Sequence, residues 1–99
     1  MAKGASRIVL SRYHPLLGHR EELLAAIAKL AGLATAGAGC YGARVFRSDQ
    51  ERDAVVAISR WGSEGAWESF ARSPAVIEER GRFAHLLTRP AAEERFLPV

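Results

Sequence analysis

Residues 54–58 read Ala-Val-Val-Ala-Ile, an unbroken apolar run in a chain of 99 residues. Successive side chains of a strand point to opposite faces, so this strand is apolar on both. Strands of that kind are covered on both sides. A chain of 10.8 kDa forms one small domain and has a single layer of helices to offer. The uncovered face then calls for a second copy. We expect a homodimer whose two sheets pack face to face, the alternative being a monomer with a modest apolar patch.

Composition removes most other classes. With 48% hydrophobic and 25% charged residues, the chain is neither a disordered tail, a collagen-like fibre nor an acidic scaffold. Its one cysteine, Cys40, excludes an internal disulfide framework and a Cys-based zinc finger or ribbon. Apolar runs are far shorter than the roughly 20 residues of a membrane helix. No leader-like pattern opens the sequence, so we expect a cytoplasmic protein with no membrane partner. The net charge is +3, but the 12 arginines are scattered from Arg7 to Arg95, many beside acids as in Arg20-Glu21-Glu22. Without a basic stripe on one face, no nucleic-acid partner is expected.

The pattern of elements is β-α-β-β-α-(α)-β. Arg7–Tyr13 is rich in strand formers. A helix is predicted from about His19 to Leu33, with Glu21 and Glu22 suiting its positive end. Leu23, Ile27, Leu30 and Ala34 form its buried stripe, and Gly32 with the 37–39 Gly-Ala-Gly run ends it. Strands at Cys40–Arg47 and Asp53–Trp61 flank a turn from Ser48 to Arg52. Ser63 is placed to cap a short helix carrying Trp67, Phe70 and Ala71. Pro74 opens another that reaches about Leu87, Pro90 closes it, and residues 94–99 supply a last strand. This is the α+β, ferredoxin-like split-βαβ arrangement in one domain, residues 1–99.

Arg80 stands out. On a helix it falls amid the apolar residues Val76, Ile77, Phe83, Ala84 and Leu87. A charge there is either satisfied within its own fold or aimed into a cavity to meet a developing oxyanion. Val55, Ala57, Ser59 and Trp61 share one strand face, with Val9, Ser11, Tyr13 and Tyr41, Ala43, Val45, Arg47 as expected neighbours. Small residues at positions 11, 43, 57 and 59 leave room for a ligand, unless Trp67, Phe70 and Phe83 fill it. Trp61 is then a stacking wall or a core plug. Tyr13 and Tyr41 keep acid–base chemistry open, with Arg47 or Arg80 helping a phenol to ionise. His14, His19 and His85 do not form a metal set and are expected at solvent or an interface. Cys40 is expected opposite Tyr41, as a filler toward the dimer interface. No Gly-rich loop supports a nucleotide cofactor.

The block Gly39-Cys40-Tyr41-Gly42-Ala43-Arg44-Val45-Phe46-Arg47-Ser48, then Ala54–Trp61 and Ser63-Glu64-Gly65-Ala66, resembles the antibiotic biosynthesis monooxygenase (ABM) family. Pro15 and Gly18 match its Pro-x-x-Gly, and the resemblance spans about residues 7–98. It implies a dimeric α+β barrel. Some members oxygenate aromatic polyketides or quinols with O2 and neither metal nor flavin; others degrade haem, and many have no known activity. At the haem degraders' Asn, Trp and His positions stand Ser11, Phe70 and Arg80, and a guanidinium cannot ligate iron. At the polyketide enzymes' Trp, Tyr and Arg positions stand Trp61, Trp67 and Arg80, while their Asn and His are Ala57 and Arg47. The resemblance thus implies Trp61, Trp67 and Arg80 as catalytic residues. Tyr13, Tyr41, Arg47, Phe70 and Phe83 are expected substrate contacts, with no cofactor or metal. The substrate implied is a small electron-rich aromatic: an anthrone, a naphthol or a quinol. A non-catalytic binding or regulatory dimer, and a non-oxidative cyclase or isomerase, remain alternatives.

Overall fold

Four strands and three helices follow one another in a computed structural model that describes residues 6–51 and 53–99. The strands are β1 (Arg7–Tyr13), β2 (Cys40–Arg47), β3 (Val55–Trp61) and β4 (Ala92–Phe96). The helices are α1 (Arg20–Ala36), α2 (Glu64–Arg72) and α3 (Pro74–Phe83), the last continued by a 3-10 turn over Ala84–Leu86. All strand pairs are antiparallel in the order β2-β3-β1-β4. This is the expected ferredoxin-like α+β topology, with the strands joined first in sequence by α1 lying at the sheet's centre and edge.

Local chemistry sets the boundaries. Ser63 Oγ accepts from the Ala66 N–H at 3.0 Å, capping α2. Ser73 ends α2 and starts α3: its backbone is extended, its Oγ accepts from Val76 N–H at 3.4 Å, and Pro74 fills the first helical position. α1 runs three residues past the expected Leu33 and absorbs Gly32, because Ala34 on the next turn is buried and holds the helix on. Gly37 stops it, its N–H donating to Ala34 O at 3.0 Å. β3 starts two residues after Asp53, which takes a φ of +68° in the turn. Arg52, the last residue of that expected turn, lies outside the described residues, as do residues 1–5 of the domain. β4 begins at Ala92, two residues before the expected start, because its ladder with β1 runs from Arg12↔Ala92 to Ile8↔Phe96.

Two side-chain clusters make the core between the helices and one sheet face. The first joins Tyr13, Leu23, Ile27, Leu30, Val55, Val76, Phe83 and Leu86; the second joins Val9, Ala34, Trp61 and Trp67. The expected α1 stripe is the buried one. That of α3 differs: Ile77 is exposed, and Glu79 is buried in its place.

The sheet register overturns one expected pair of orientations. A shift between Cys40 and Gly42 sets Cys40 opposite Trp61 and Gly42 opposite Arg60. The extra residue reverses the side-chain alternation at the start of β2. Cys40 therefore packs on the Trp61–Trp67 cluster, not toward the open face, and Tyr41 is left exposed with its hydroxyl against Gly62.

His14, expected at solvent or an interface, is half-buried and ties together two exposed side chains at the surface. Arg89 Nε donates to its Nδ1 at 3.1 Å, which leaves Nε2 to donate to Glu51 at 2.9 Å. The His14 carbonyl accepts from Thr88 N–H at 2.8 Å. These bonds fix the segment after α3, which forms one wall of the chamber described next.

Candidate functional site

The four small residues expected to leave room do so, but only a little. Ser11, Ala43, Ala57 and Ser59 floor a cavity of about 30 Å³ under α1, closed by Trp67 and Phe70 from α2 and by Arg80 from α3. That is room for a water or two. The aromatic side chains of α2 fill the rest, with ring centroids of Trp67 and Phe70 6.0 Å apart. Ligand-sized space lies next door. An outer chamber of about 280 Å³ opens between α3, β1 and the 87–93 segment, bounded by Phe83, Ala84, Leu87, Pro90, Ala91 and Glu93. Ser11, Tyr13 and Arg80 line both spaces and form the partition between them.

Arg80 is half-buried, with its guanidinium 5.9 Å from the Trp67 ring centroid. Stacking on an aromatic face offsets part of its desolvation. Among the described residues no hydrogen bond or ion pair takes up its donors. A guanidinium held in this way favours any anion that enters, because its orientation is fixed before the charge arrives. Tyr13 is buried edge-on to Phe83, ring centroids 5.9 Å apart. Burial raises its pKa above the ordinary 10.0, and the Ser11 hydroxyl, Arg80 and Glu93 act as smaller, partly opposing influences. Help from Arg80 is thus outweighed by desolvation. Tyr13 stays a protonated donor at neutral pH.

Of the eight residues expected at the site, Trp67, Arg80, Tyr13, Phe70 and Phe83 border the two spaces. Three stand elsewhere. Trp61 is fully buried and its indole N–H donates to Ser59 Oγ at 2.8 Å, so it is the core plug rather than a stacking wall. It props Phe70 and Trp67 from behind, at centroid distances of 5.1 and 5.9 Å. Tyr41 is turned away by the shift at the start of β2. Arg47 does lie on the helix side, opposite Val55, but at the far end of β2, where it is exposed and borders a separate polar depression with Arg20, Asp49 and Asp53. Neither side chain reaches the chamber.

One bordering residue is absent from the sequence expectation: Glu93. Its signal is the strand register, since a β4 that starts at Ala92 sets Glu93 opposite Ser11 and on the helix side. Among the described residues no three His, Cys, Asp or Glu side chains gather as a metal site, and no helix is long and apolar enough to cross a membrane.

Residues 7–80 match the family model described as antibiotic biosynthesis monooxygenase. No curated protein matches the sequence. Among solved structures, Rv0793 from Mycobacterium tuberculosis is 25% identical with a TM-score of 0.86, over 96% of each chain. PA3566 from Pseudomonas aeruginosa is 15% identical with a TM-score of 0.85, over 100% of this chain and 99% of the other. A protein from Deinococcus radiodurans put forward as an antibiotic biosynthesis monooxygenase is 16% identical, TM-score 0.85, over 94% and 92%. At those identities the last two likenesses concern the fold alone.

Proposed function

Given that the chain belongs to the antibiotic biosynthesis monooxygenase family, we propose that it oxygenates an electron-rich aromatic, such as an anthrone, naphthol or quinol, with O2. The observation that carries this reading is Arg80: a half-buried guanidinium without an anionic partner among the described residues, beside the protonated Tyr13, at the mouth of a ligand-sized chamber. Such a pair suits an oxygen that gains negative charge during reaction. An anthrone bound there would lose a proton from its methylene carbon, and the electron pair would spread onto the carbonyl oxygen facing Arg80. The carbanion passes one electron to O2 and the two radicals combine, forming a carbon–oxygen bond. The peroxide anion so formed takes up a proton, and the hydroperoxide loses water, leaving a new carbonyl: one O2 is consumed, one oxygen atom enters the product and one leaves as water. The inner cavity, sized for a small molecule, is a fitting store for O2 next to that carbon. Trp67, Phe70 and Phe83 supply the apolar walls. Trp61 is assigned a supporting role behind them.

The same reading takes the protein to be a cytoplasmic homodimer, in line with a free Cys40 and with the apolar residues on the sheet's open face. It is tested by O2 uptake with dithranol and a panel of small quinols. Saturable uptake that Arg80→Leu abolishes, with the circular dichroism spectrum kept, is the expected result. A second reading, a binding dimer or a non-oxidative enzyme, draws support from Ala57 and Arg47, which stand where the polyketide enzymes carry Asn and His. Tight binding of the same aromatics without O2 uptake would favour it.

A further inference from the structure

β4 brings to the chamber a group that the oxygenation reading leaves unused. Glu93 and Glu94 are adjacent, yet their register partners on β1 differ: Glu93 faces Ser11, on the helix side, and Glu94 faces Leu10, on the open side. Glu93 therefore borders the outer chamber together with Tyr13 and Arg80. Its side chain is 35% exposed, and its one ion pair among the described residues is with Arg95 at 3.5 Å. No carboxylate approaches Arg80 within 4.0 Å among those residues. A guanidinium and a carboxylate that border one chamber of about 280 Å³ without pairing leave space for a ligand between them. A ligand that satisfies both offers an oxygen to the first and a proton to the second.

The other groups on the chamber wall do not compete for that proton. Tyr13 is already protonated, the Ser11 hydroxyl is a far weaker base than a carboxylate, and no histidine borders the chamber. Among the described residues, Glu93 is the one carboxylate on the wall.

Resting on the oxygenation reading, we propose that Glu93 is the proton acceptor of this chamber and that the substrate is a carbon or oxygen acid whose anion forms against Arg80. In the step, a C–H bond of a methylene conjugated through its aryl rings with a carbonyl breaks and an O–H bond forms on the Glu93 carboxylate. The electron pair left behind moves to the carbonyl oxygen, which Arg80 and the Tyr13 hydroxyl hold. No oxidant takes part, so the step runs without O2 and reverses.

Reversal makes it measurable on its own. In deuterated buffer under argon, the protein exchanges the methylene hydrogens of dithranol for deuterium, read by proton NMR, faster than buffer alone. Glu93→Gln keeps the size of the side chain and removes its basicity. It is expected to lower that exchange by about 10²-fold or more and to leave dithranol quenching of the tryptophan fluorescence in place. Glu93→Asp, which retains a base, recovers part of the rate. Exchange that Glu93→Gln leaves unchanged overturns the assignment, and the oxygenation reading then stands or falls on O2 uptake alone. Exchange that depends on Glu93 in a protein that consumes no O2 upholds it and removes the oxygenase. Absence of exchange in the wild type overturns it whatever the O2 electrode records.

Discussion

Gly18 and Gly39 share a φ of +83° and differ in their surroundings. A side chain at Gly18 would meet open space, whereas a Cβ at Gly39 would lie 2.7 Å from the Ala66 Cβ of α2. Gly18→Ala should therefore cost only the left-handed backbone, about 1 kcal/mol. Gly39→Ala should add the overpacking of a close contact, for a total of roughly 2–4 kcal/mol. Urea midpoints of the two variants check this, and equal losses would mean that β2 can back away from α2. The same crowded corner explains what the sequence hid. Gly39 and Gly42 bracket the shift that turns Cys40 inward and Tyr41 outward, and simple alternation along β2 has no means of placing an extra residue. Trp61 was legible as a strand-end aromatic, but its neighbour Ser59 decides its role by accepting its N–H. Glu93 sits in an acid-rich run, Glu93-Glu94-Arg95, that reads as a solvated edge. Only pairing with Ser11 tells which of the two carboxylates turns toward the chamber.

At the scale of elements, α3 packs on α1 through Val76 and Phe83 and adds a charge, Glu79, where its period suggests the apolar Ile77. Glu79 is 6% exposed and receives Lys29 Nζ from α1 at 3.1 Å and Arg82 from its own helix at 3.1 Å. The Lys29 hydrogen bond is the main cause that lowers its carboxyl below the ordinary 4.5, with burial opposing it. A carboxyl whose pKa falls on folding stabilises the native state above its unfolded pKa, and that contribution disappears as pH drops through the folded value. Glu79→Gln should thus be less stable than wild type at pH 7, and the gap should narrow as pH falls below about 4.5. Urea midpoints at pH 7 and pH 3 test it; a gap that does not change with pH would show that shape, not charge, makes the contact. This clamp also marks how far helix patterns were readable. α1 buries Leu23, Ile27, Leu30 and Ala34, as its spacing requires, because it lies flat on an apolar sheet. α3 packs at the margin beside α1, where a lysine can reach in, so hydrophobicity alone picks Ile77 and misses Glu79. Caps were more dependable than stripes: Ser63 acts through a bond within one turn and Pro74 through its fixed backbone angle, and neither depends on what packs against it.

The whole molecule is two layers, 18 Å across its shortest extent, with helices on one side of the sheet only. Its other side carries Ile8, Leu10, Phe46, Val56, Ile58 and Phe96, and Phe46 and Phe96 are about 40% exposed, at 41% and 42%. Arg44 lies over Phe46 with its guanidinium 5.5 Å from the ring, which shields only part of that surface. Four strands about 4.8 Å apart, on average about seven residues long at about 3.3 Å each, make a footprint of roughly 19 by 23 Å. That planar area, roughly 440 Å², is a little over half of the roughly 800 Å² per partner of a standard interface before side-chain relief is added. We therefore expect a mass of twice 10.8 kDa by light scattering. Ile58 lies on β3, a central strand, with Leu10 and Arg44 as its ladder partners. A carboxylate there would be desolvated in a face-to-face pair but could reach water in a single copy, because Ile58 is partly exposed and no helix among the described residues lies over that face. Ile58→Glu should accordingly shift the mass to 10.8 kDa with the helical circular dichroism retained. The chamber and the open face share β1 and β4 but use alternate residues, Ser11, Tyr13 and Glu93 against Leu10, Arg12 and Glu94. For that reason the variant should still bind dithranol, more weakly than wild type as the sheet loses its backing. A wild-type mass of 10.8 kDa at micromolar concentration would refute the pairing, and would leave the apolar face a feature of the single copy.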